Sequence, residues 1–272
     1  MAKYKVNEIF YSIQGEGRHA GRAAIFVRFS GCNLKCPFCD TDFKKYEEMG
    51  AIDILNKIQL LSPDCKFVVF TGGEPTLQVD EELTTLLQNW GYYIAMETNG
   101  THKIPGGINW VTCSPKCLFV KGAEPIIKVA TEVKVVFDGE HEITDCNIDA
   151  DYYYVQPCDT GDAKKNAEIL KQTVAFVEAN PKWRLSLQQQ KILNVKEIIS
   201  PMSKNKKKTP TKYRPICFYC GGKLCWDSSG DRSEDDDSVV DYYHCMQCGT
   251  SYEVYEPNEE EKQDYKEYWK GK

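Results

Sequence analysis

Six short apolar runs, each followed by glycine or proline, set the strongest limit on how this chain can fold. They read "AAIFVRFSG", "CKFVVFTGG", "YYIAMETNG", "NWVTCSP", "EVKVVFDG" and "DYYYVQP". Runs this short, rich in β-branched and aromatic residues, are buried strands of a parallel sheet. Helical patterns stand between them. "DEELTTLLQNWG" opens on Asp80 as an N-cap and closes on Gly91 as a C-cap. "DAKKNAEILKQTVAFVEANP" is the clearest amphipathic helix. The expected fold class is α/β: a partial (β/α)6 barrel over residues 1–199. The endings FSGC, TGGEP, ETNG, CSPK and VQPCD all fall at strand C-termini, where such a barrel collects its active site.

Residues 200–215, "SPMSKNKKKTPTKYRP", exchange the apolar pattern for Lys, Ser, Thr and Pro and read as a linker. Its run Lys206–Lys208 either touches a phosphate backbone or is simply solvated. Residues 216–272 form a small second module. The acidic stretch "WDSSGDRSEDDDSVVD" within it reads as a long exposed loop, and "NEEEKQDYKEYWKGK" as a short terminal helix.

A hydrophobic content of 42% over 272 residues supports a packed core. The net charge of -6 gives no global basic field toward nucleic acid or anionic lipid. No apolar run reaches membrane-spanning length, and "MAKYKVNEIF" lacks the apolar core of a signal sequence, so a cytoplasmic protein is expected. Thirteen cysteines in such a chain, in paired short spacings, point to metal rather than disulfides. Two clusters form, 32/36/39 and 217/220/245/248. Cys65, Cys113, Cys117, Cys146, Cys158 and Cys225 lie outside them and are expected as small, buried or partly buried thiols.

In "CNLKCPFC" the thiols of Cys32, Cys36 and Cys39 have no fourth cysteine at matching spacing. Zinc completed by a distant residue is one reading. A 4Fe-4S cluster with one iron left open is the sharper one. S-adenosylmethionine fits that iron, chelating through its amino and carboxylate groups, and its reductive cleavage yields an adenosyl radical. In the second set, Cys217-x2-Cys220 and Cys245-x2-Cys248 give the zinc-ribbon pattern: two tight turns whose four thiolates hold one zinc. So small a module depends on its metal to fold. Its aromatics Phe218, Tyr219, Trp226, Tyr242, Tyr243 and Tyr252 suit base stacking, but the acidic insertion argues against a nucleic-acid face. Docking to a partner and closing as a lid remain open.

"CNLKCPFC", followed one βα unit later by "TGGEP", resembles the radical S-adenosylmethionine superfamily. The match extends further. "EIFYSIQGEG", "FVRFSGC", "CDT", "FTGGEP", "ETNG", "SPK", "EVKVV", "VQP" and "WRLSLQ" come in the order seen in the 7-carboxy-7-deazaguanine synthase family, over about residues 4–198. That resemblance implies a magnesium-dependent radical ring contraction. The family converts 6-carboxy-5,6,7,8-tetrahydropterin to 7-carboxy-7-deazaguanine with loss of ammonia. It also implies a homodimer and an electron donor such as flavodoxin or ferredoxin.

The substrate offers a guanine-like edge and a carboxylate. Ile13, Gln14, Gly15 and Glu16 of "IQGEG", with Thr71 and Gln190, are the expected substrate contacts, Gln14 and Glu16 lying on a glycine-flanked loop. Arg28 either forks onto the carboxylate or forms a structural ion pair. Thr41 offers magnesium a hydroxyl oxygen or caps a turn beside Asp42. Lys134 is a proton donor, a charge partner or a strand-end salt bridge. For the cofactor, the resemblance implies contacts from Phe38, Cys39 and Asp40 on the adenine side. It implies Gly73 and Glu74 at the methionyl amino group, where glycine permits close approach. Ser114, Pro115 and Lys116 match its "SPK", and Gln156, Pro157, Cys158 and Asp159 its late contact. The sequence departs from the family in two places. After "RLSLQ" the family often has Thr-His-Lys, whereas here Gln189, Gln190 and Lys191 stand, without a titratable ring. The chain also continues past the point where the family commonly ends. Two alternatives follow: a related radical enzyme acting on a different pterin or purine, or a zinc-ribbon binding module with a silent barrel.

Overall fold

The computed structural model describes residues 2–39, 45–193, 195, 198–199, 224–233, 236–245 and 251–255. The chain divides into two compact units, Met1–Met202 and Ser203–Lys272. In the first, the strands are β1 (Tyr4–Ile13), β2 (Ala23–Phe29), β3 (Glu47–Met49), β4 (Phe67–Gly72), β5 (Tyr93–Thr98), β6 (Trp110–Cys113), β7 (Val129–Phe137), β8 (Asp149–Pro157), β9 (Trp183–Leu185) and β10 (Ile198–Ile199). The helices are α1 (Ala51–Leu61), α2 (Glu81–Asn89), α3 (Ala163–Ala179) and α4 (Gln189–Ile192).

Strands β2, β4, β5, β6, β7, β8 and β9 lie side by side in chain order, all parallel. The six apolar runs are six of these neighbours. At one edge β1 pairs antiparallel with β2, and β3 and β10 pair antiparallel with β1. This is a mixed α/β fold with an open, largely parallel sheet.

Two features differ from the sequence expectation. First, β1 precedes the six runs. Its alternation is broken by a bulge between Val6 and Glu8, so Tyr4, Val6 and Ile9 join one core while Phe10 joins another. Second, the β5–β6, β6–β7 and β7–β8 connections contain no α-helix. "NGTHKIPGGIN" and "SPKCLFVKGAEPIIK" carry helix-breaking Pro and Gly. In "DGEHEITDCNI" the Asp138 carboxylate captures the N–H groups of Glu140 and His141, each at 3.0 Å, in a local turn.

The expected helices follow their caps. Asp80 accepts from the N–H of Leu83 at 3.1 Å. At the other end of α2, Gly91 takes φ 75, and the Gly91 and Tyr92 N–H groups return to the carbonyls of Gln88 and Leu87. The Asp162 carboxylate caps α3 through Lys164 and Lys165.

Successive strand residues face opposite sides, and the two sides differ. Outward, Ile25, Val27, Val68, Phe70, Ile94 and Met96 pack on α1 and α2. Inward, Phe26, Phe67, Val69 and Ala95 form a lower apolar layer with Phe10. Two residues further along the same strands come Arg28, Thr71 and Glu97, so polarity begins at the C-terminal end of the inner face.

In the second unit β11 (Leu224–Ser233), β12 (Asp236–Cys245) and β13 (Ser251–Tyr255) form an antiparallel sheet in that order. The acidic stretch expected as a loop is thus mostly a β-hairpin, with Ser228 opposite Tyr242 and Asp231 opposite Val239. Backbone hydrogen bonds make that ladder, and charged side chains do not prevent it. Cys245 pairs with Leu224 through the backbone. Cys217, Cys220, Cys248, the linker 200–215 and the expected terminal helix lie outside the described residues, as do Asp40 and Thr41. Among the described residues no helix is long and apolar enough to cross a membrane.

Candidate active site

The cysteine loop leaves β2 through Ser30 and Gly31. Gly73, just past β4, donates its N–H to Phe29 O at 2.9 Å, and the Glu74 N–H reaches Gly31 O at 2.9 Å. A Cβ on Gly73 would sit 1.9 Å from Gly31 O, so only glycine permits this crossing. The TGGEP stretch thereby anchors the start of the cysteine loop. Cys32, Cys36 and Cys39 are unlinked and half-buried to exposed. The Leu34 N–H donates to Cys32 Sγ at 3.4 Å, and Cys39 N–H to Cys36 O at 3.2 Å. Burial pushes the Cys32 and Cys36 thiols up, and each is pushed further by its neighbouring thiols. Among the described residues no three His, Cys, Asp or Glu are placed to hold a single metal ion. A cubane suits such a loop better, since each thiolate binds its own iron and the sulfurs need not meet at one point. Phe38 packs edge-on against Phe119, with ring centroids 4.7 Å apart.

Glu74 is 1% exposed. One carboxylate oxygen accepts from Thr76 N–H (3.1 Å), Thr76 Oγ1 (2.6 Å) and Thr98 Oγ1 (2.7 Å). The other accepts from Asn99 N–H at 2.7 Å. Both oxygens are engaged by the chain, so Glu74 ties the end of β4 to the end of β5.

The second focus is Lys134 on β7, 4% exposed. Its Nζ pairs with Glu16, and Glu97 lies 3.8 Å away. Glu16 also accepts from Gln188 Nε2 at 3.0 Å and Gln190 Nε2 at 3.4 Å. Burial alone would raise the Glu16 carboxyl. Lys134 and the two amides outweigh it and hold the group well below the usual carboxylate range. Burial works against charge on Lys134 too, but Glu16 and Glu97 raise its pKa. Gln14 uses both ends of its amide, donating to Glu97 at 2.9 Å and accepting from Glu16 N–H at 3.2 Å. Gln190 sits so close to Gly15 that a Cβ there would meet its Oε1, and that Oε1 is buried with no donor.

Lys116 follows β6 and donates to Ser114 O (2.8 Å) and Ser114 Oγ (2.5 Å). Burial lowers its pKa, and both Cys36 and the Lys134–Glu16 pair act on its charge. Arg28 lies on β2 opposite Thr71. Its Nε meets Glu8 at 2.7 Å without hydrogen-bond alignment. The ion pair thus exists, and a carboxylate ligand would compete with Glu8 for it. Ile13 ends β1 beside Gln14. Gln156 is buried and accepts from Ser186 Oγ at 2.9 Å. Beyond Pro157, Cys158 is buried, while Asp159 is exposed and taken up by Asn166 (2.8 Å) and Lys191 (3.1 Å) in a surface turn. The structure therefore gathers Gln14, Glu16, Lys134 and Gln190, and carries Asp159 outward.

Sequence reasoning missed Glu97, Glu132, Gln188 and Glu8. Glu132 is 2% exposed, two residues before Lys134, and accepts from Arg18 N–H at 2.8 Å. The period-two rule for strands places it on the same face as Lys134. Glu97 was visible as the acid in ETNG. Gln188 and Glu8 carried no local signal.

Residues 26–108 match the Radical SAM superfamily. A 7-carboxy-7-deazaguanine synthase of Bacteroides thetaiotaomicron is 42% identical over 192 residues, spanning 71% of this chain and 98% of its own. One from Caulobacter vibrioides is 38% identical over 215 residues, spanning 71% and 99%. Among solved structures, QueE from Escherichia coli superposes with a TM-score of 0.57 at 27% identity, covering 69% of this chain and 94% of that one.

Proposed function

The chain belongs to the 7-carboxy-7-deazaguanine synthase family, and from that premise we propose that it turns 6-carboxy-5,6,7,8-tetrahydropterin into 7-carboxy-7-deazaguanine with loss of ammonia. It is a radical S-adenosylmethionine lyase of 7-deazapurine biosynthesis, on the way to queuosine. The observation that carries the substrate reading is the buried cluster of Gln14, Glu16, Lys134 and Gln190.

Cys32, Cys36 and Cys39 would hold a 4Fe-4S cluster, which together with S-adenosylmethionine would supply one-electron reductive cleavage. The protein residues do the rest. Glu16, held ionised, offers acceptors to the N–H groups of a guanine-like edge, and the buried Gln190 Oε1 offers another. A substrate that occupies Glu16 weakens its pairing with Lys134. Lys134 Nζ then holds a proton beside the reacting ring, where a departing amine needs one. Arg28 takes the substrate carboxylate in place of Glu8. Gly73 and Glu74, with Phe38, Ser114 and Lys116, are the residues assigned to the cofactor side.

Magnesium at Thr41 rests on the family resemblance, and zinc at Cys217, Cys220, Cys245 and Cys248 on the doubled C-x2-C spacing. A homodimer, a cytoplasmic location and a flavodoxin- or ferredoxin-type donor belong to the same reading. The test is product analysis under nitrogen with the tetrahydropterin carboxylate, S-adenosylmethionine, reductant and magnesium. Deazaguanine and ammonia are expected in equal amounts. Cofactor cleavage without a deazapurine would sink the substrate assignment and turn attention to another pterin or purine able to donate an N–H to Gln190.

A further inference from the structure

Cys117 lies in the β6–β7 connection and Cys146 in the β7–β8 connection, yet their Sγ atoms are 3.0 Å apart. Both thiols are half-buried and unlinked. The turn that brings Cys146 to this spot is unusual. Cys146 and Asn147 take φ 53 and 57, a region that side chains other than glycine rarely occupy. Three contacts hold it there. Thr144 Oγ1 accepts from Cys146 N–H at 3.2 Å, Asp145 accepts from Asn147 N–H at 3.0 Å, and Lys182 pairs with Asp145 at 2.8 Å. Strain kept in this way by its surroundings marks a turn with a task.

We propose that Cys117 and Cys146 are a modification site: a thiol pair that closes to a disulfide on exchange with a small-molecule disulfide. One of the two, as thiolate, attacks one sulfur of the small disulfide and expels one thiol. The other then gives up its proton and attacks the protein sulfur of the mixed disulfide, expelling the second thiol. Two cysteine thiols are oxidised, and one small disulfide is reduced to two thiols. Burial first, and then Cys117 beside it, push the Cys146 thiol up to about 12. The neighbouring Cys113 is fully buried and out of reach of the reagent.

The bridge would matter for the cofactor side. Cys117 directly follows Lys116, and the same connection carries Phe119, whose ring meets both Phe38 of the cysteine loop and His141 of the β7–β8 connection. Closing the bridge fixes these two connections to each other.

The test uses full-length protein with its cluster in place, incubated under nitrogen with oxidised glutathione, quenched with acid, alkylated and digested with trypsin. Cys117 lies in the tryptic peptide 117–121, and Cys146 shares the peptide 135–164 with Cys158. The expected product joins these two peptides, lighter than their sum by two hydrogens, with fragmentation placing the sulfur at Cys146. Dithiothreitol should restore both thiols. C146S and C117S should each stop at the mixed disulfide, with glutathione on the remaining thiol and no bridged peptide. Hydrogen exchange across residues 114–128 should slow in the bridged form. Independent alkylation of Cys117 and Cys146 under conditions that glutathionylate the half-exposed Cys65 would overturn the proposal, as would a bridge from either to Cys113 or Cys158.

Discussion

Two strand ends of one sheet handle a buried acid in opposite ways. At β4–β5, Glu74 receives only uncharged donors, from Thr76 just after TGGEP and from Thr98 and Asn99 within ETNG. At β7, Lys134 stands among Glu16, Glu97 and Glu132, which come from three different parts of the chain. The first arrangement is complete without a ligand. The second holds more acid than base, so its hydrogen bonds can be redistributed when a substrate arrives. A motif glutamate can therefore be a structural tie, as Glu74 is, or the partner of a buried cation, as Glu16 is. The partners decide which.

The sharpest way to break this contrast is Glu74→Ala. It strands the Thr98 hydroxyl and the Asn99 N–H in a dry site. At about 1–3 kcal/mol per orphaned buried donor, a loss of about 4 kcal/mol in unfolding free energy is expected by denaturant titration. A loss below about 1 kcal/mol would show that water replaces the carboxylate.

Lys134→Met comes next. Removing one partner of a buried pair should cost about 3 kcal/mol near neutral pH. The deficit should shrink on acidification, as the three unpaired carboxyls take up protons. A deficit independent of pH would mean that lost packing, not lost charge, is responsible. The variant should also fail to form product while still cleaving S-adenosylmethionine.

Arg28→Lys tests the end of β2, beside β4 in the same sheet. Exchanging the fork for a point charge should weaken substrate binding by roughly 1.5–3 kcal/mol, with uncoupled cofactor cleavage retained. Unchanged affinity in a binding titration would leave Arg28 as the partner of Glu8 alone.

The smallest effect concerns Glu132, whose carboxyl burial pushes up to about 6 from 4.5. A raised acid pKa means that the folded state binds the proton more tightly than the unfolded chain. Stability is then lost as pH climbs through that interval. Glu132→Gln should remove this loss, because its amide oxygen still accepts from Arg18. The variant should gain at most about 2 kcal/mol near pH 7.5, at about 1.4 kcal/mol per pH unit, and nothing near pH 4.5. Melting curves at the two pH values check the sign.

The strand runs, the Asp80 cap of α2 and the amphipathic pattern of α3 were legible because their signals are local. The hairpin through the acidic stretch was not, since backbone pairing leaves no mark in a charge pattern. Nor was β1, whose bulge breaks the alternation a strand is recognised by. In the candidate site, the cysteine spacing and the glycines of TGGEP were readable for the same local reason.

Read from the chain alone, the protein has a parallel α/β unit, a three-cysteine loop at its first parallel strand end and a family resemblance over most of its length. Which side chains meet across that unit belongs to the folded arrangement. Lys134 finds Glu16 across 118 positions, and Cys117 finds Cys146 across 29. The physical reason is the range of each signal. Apolar period, caps and turns act within a few residues. A buried cation's partner is set by strand order, register and the loop that folds over the sheet, which no short stretch of sequence contains.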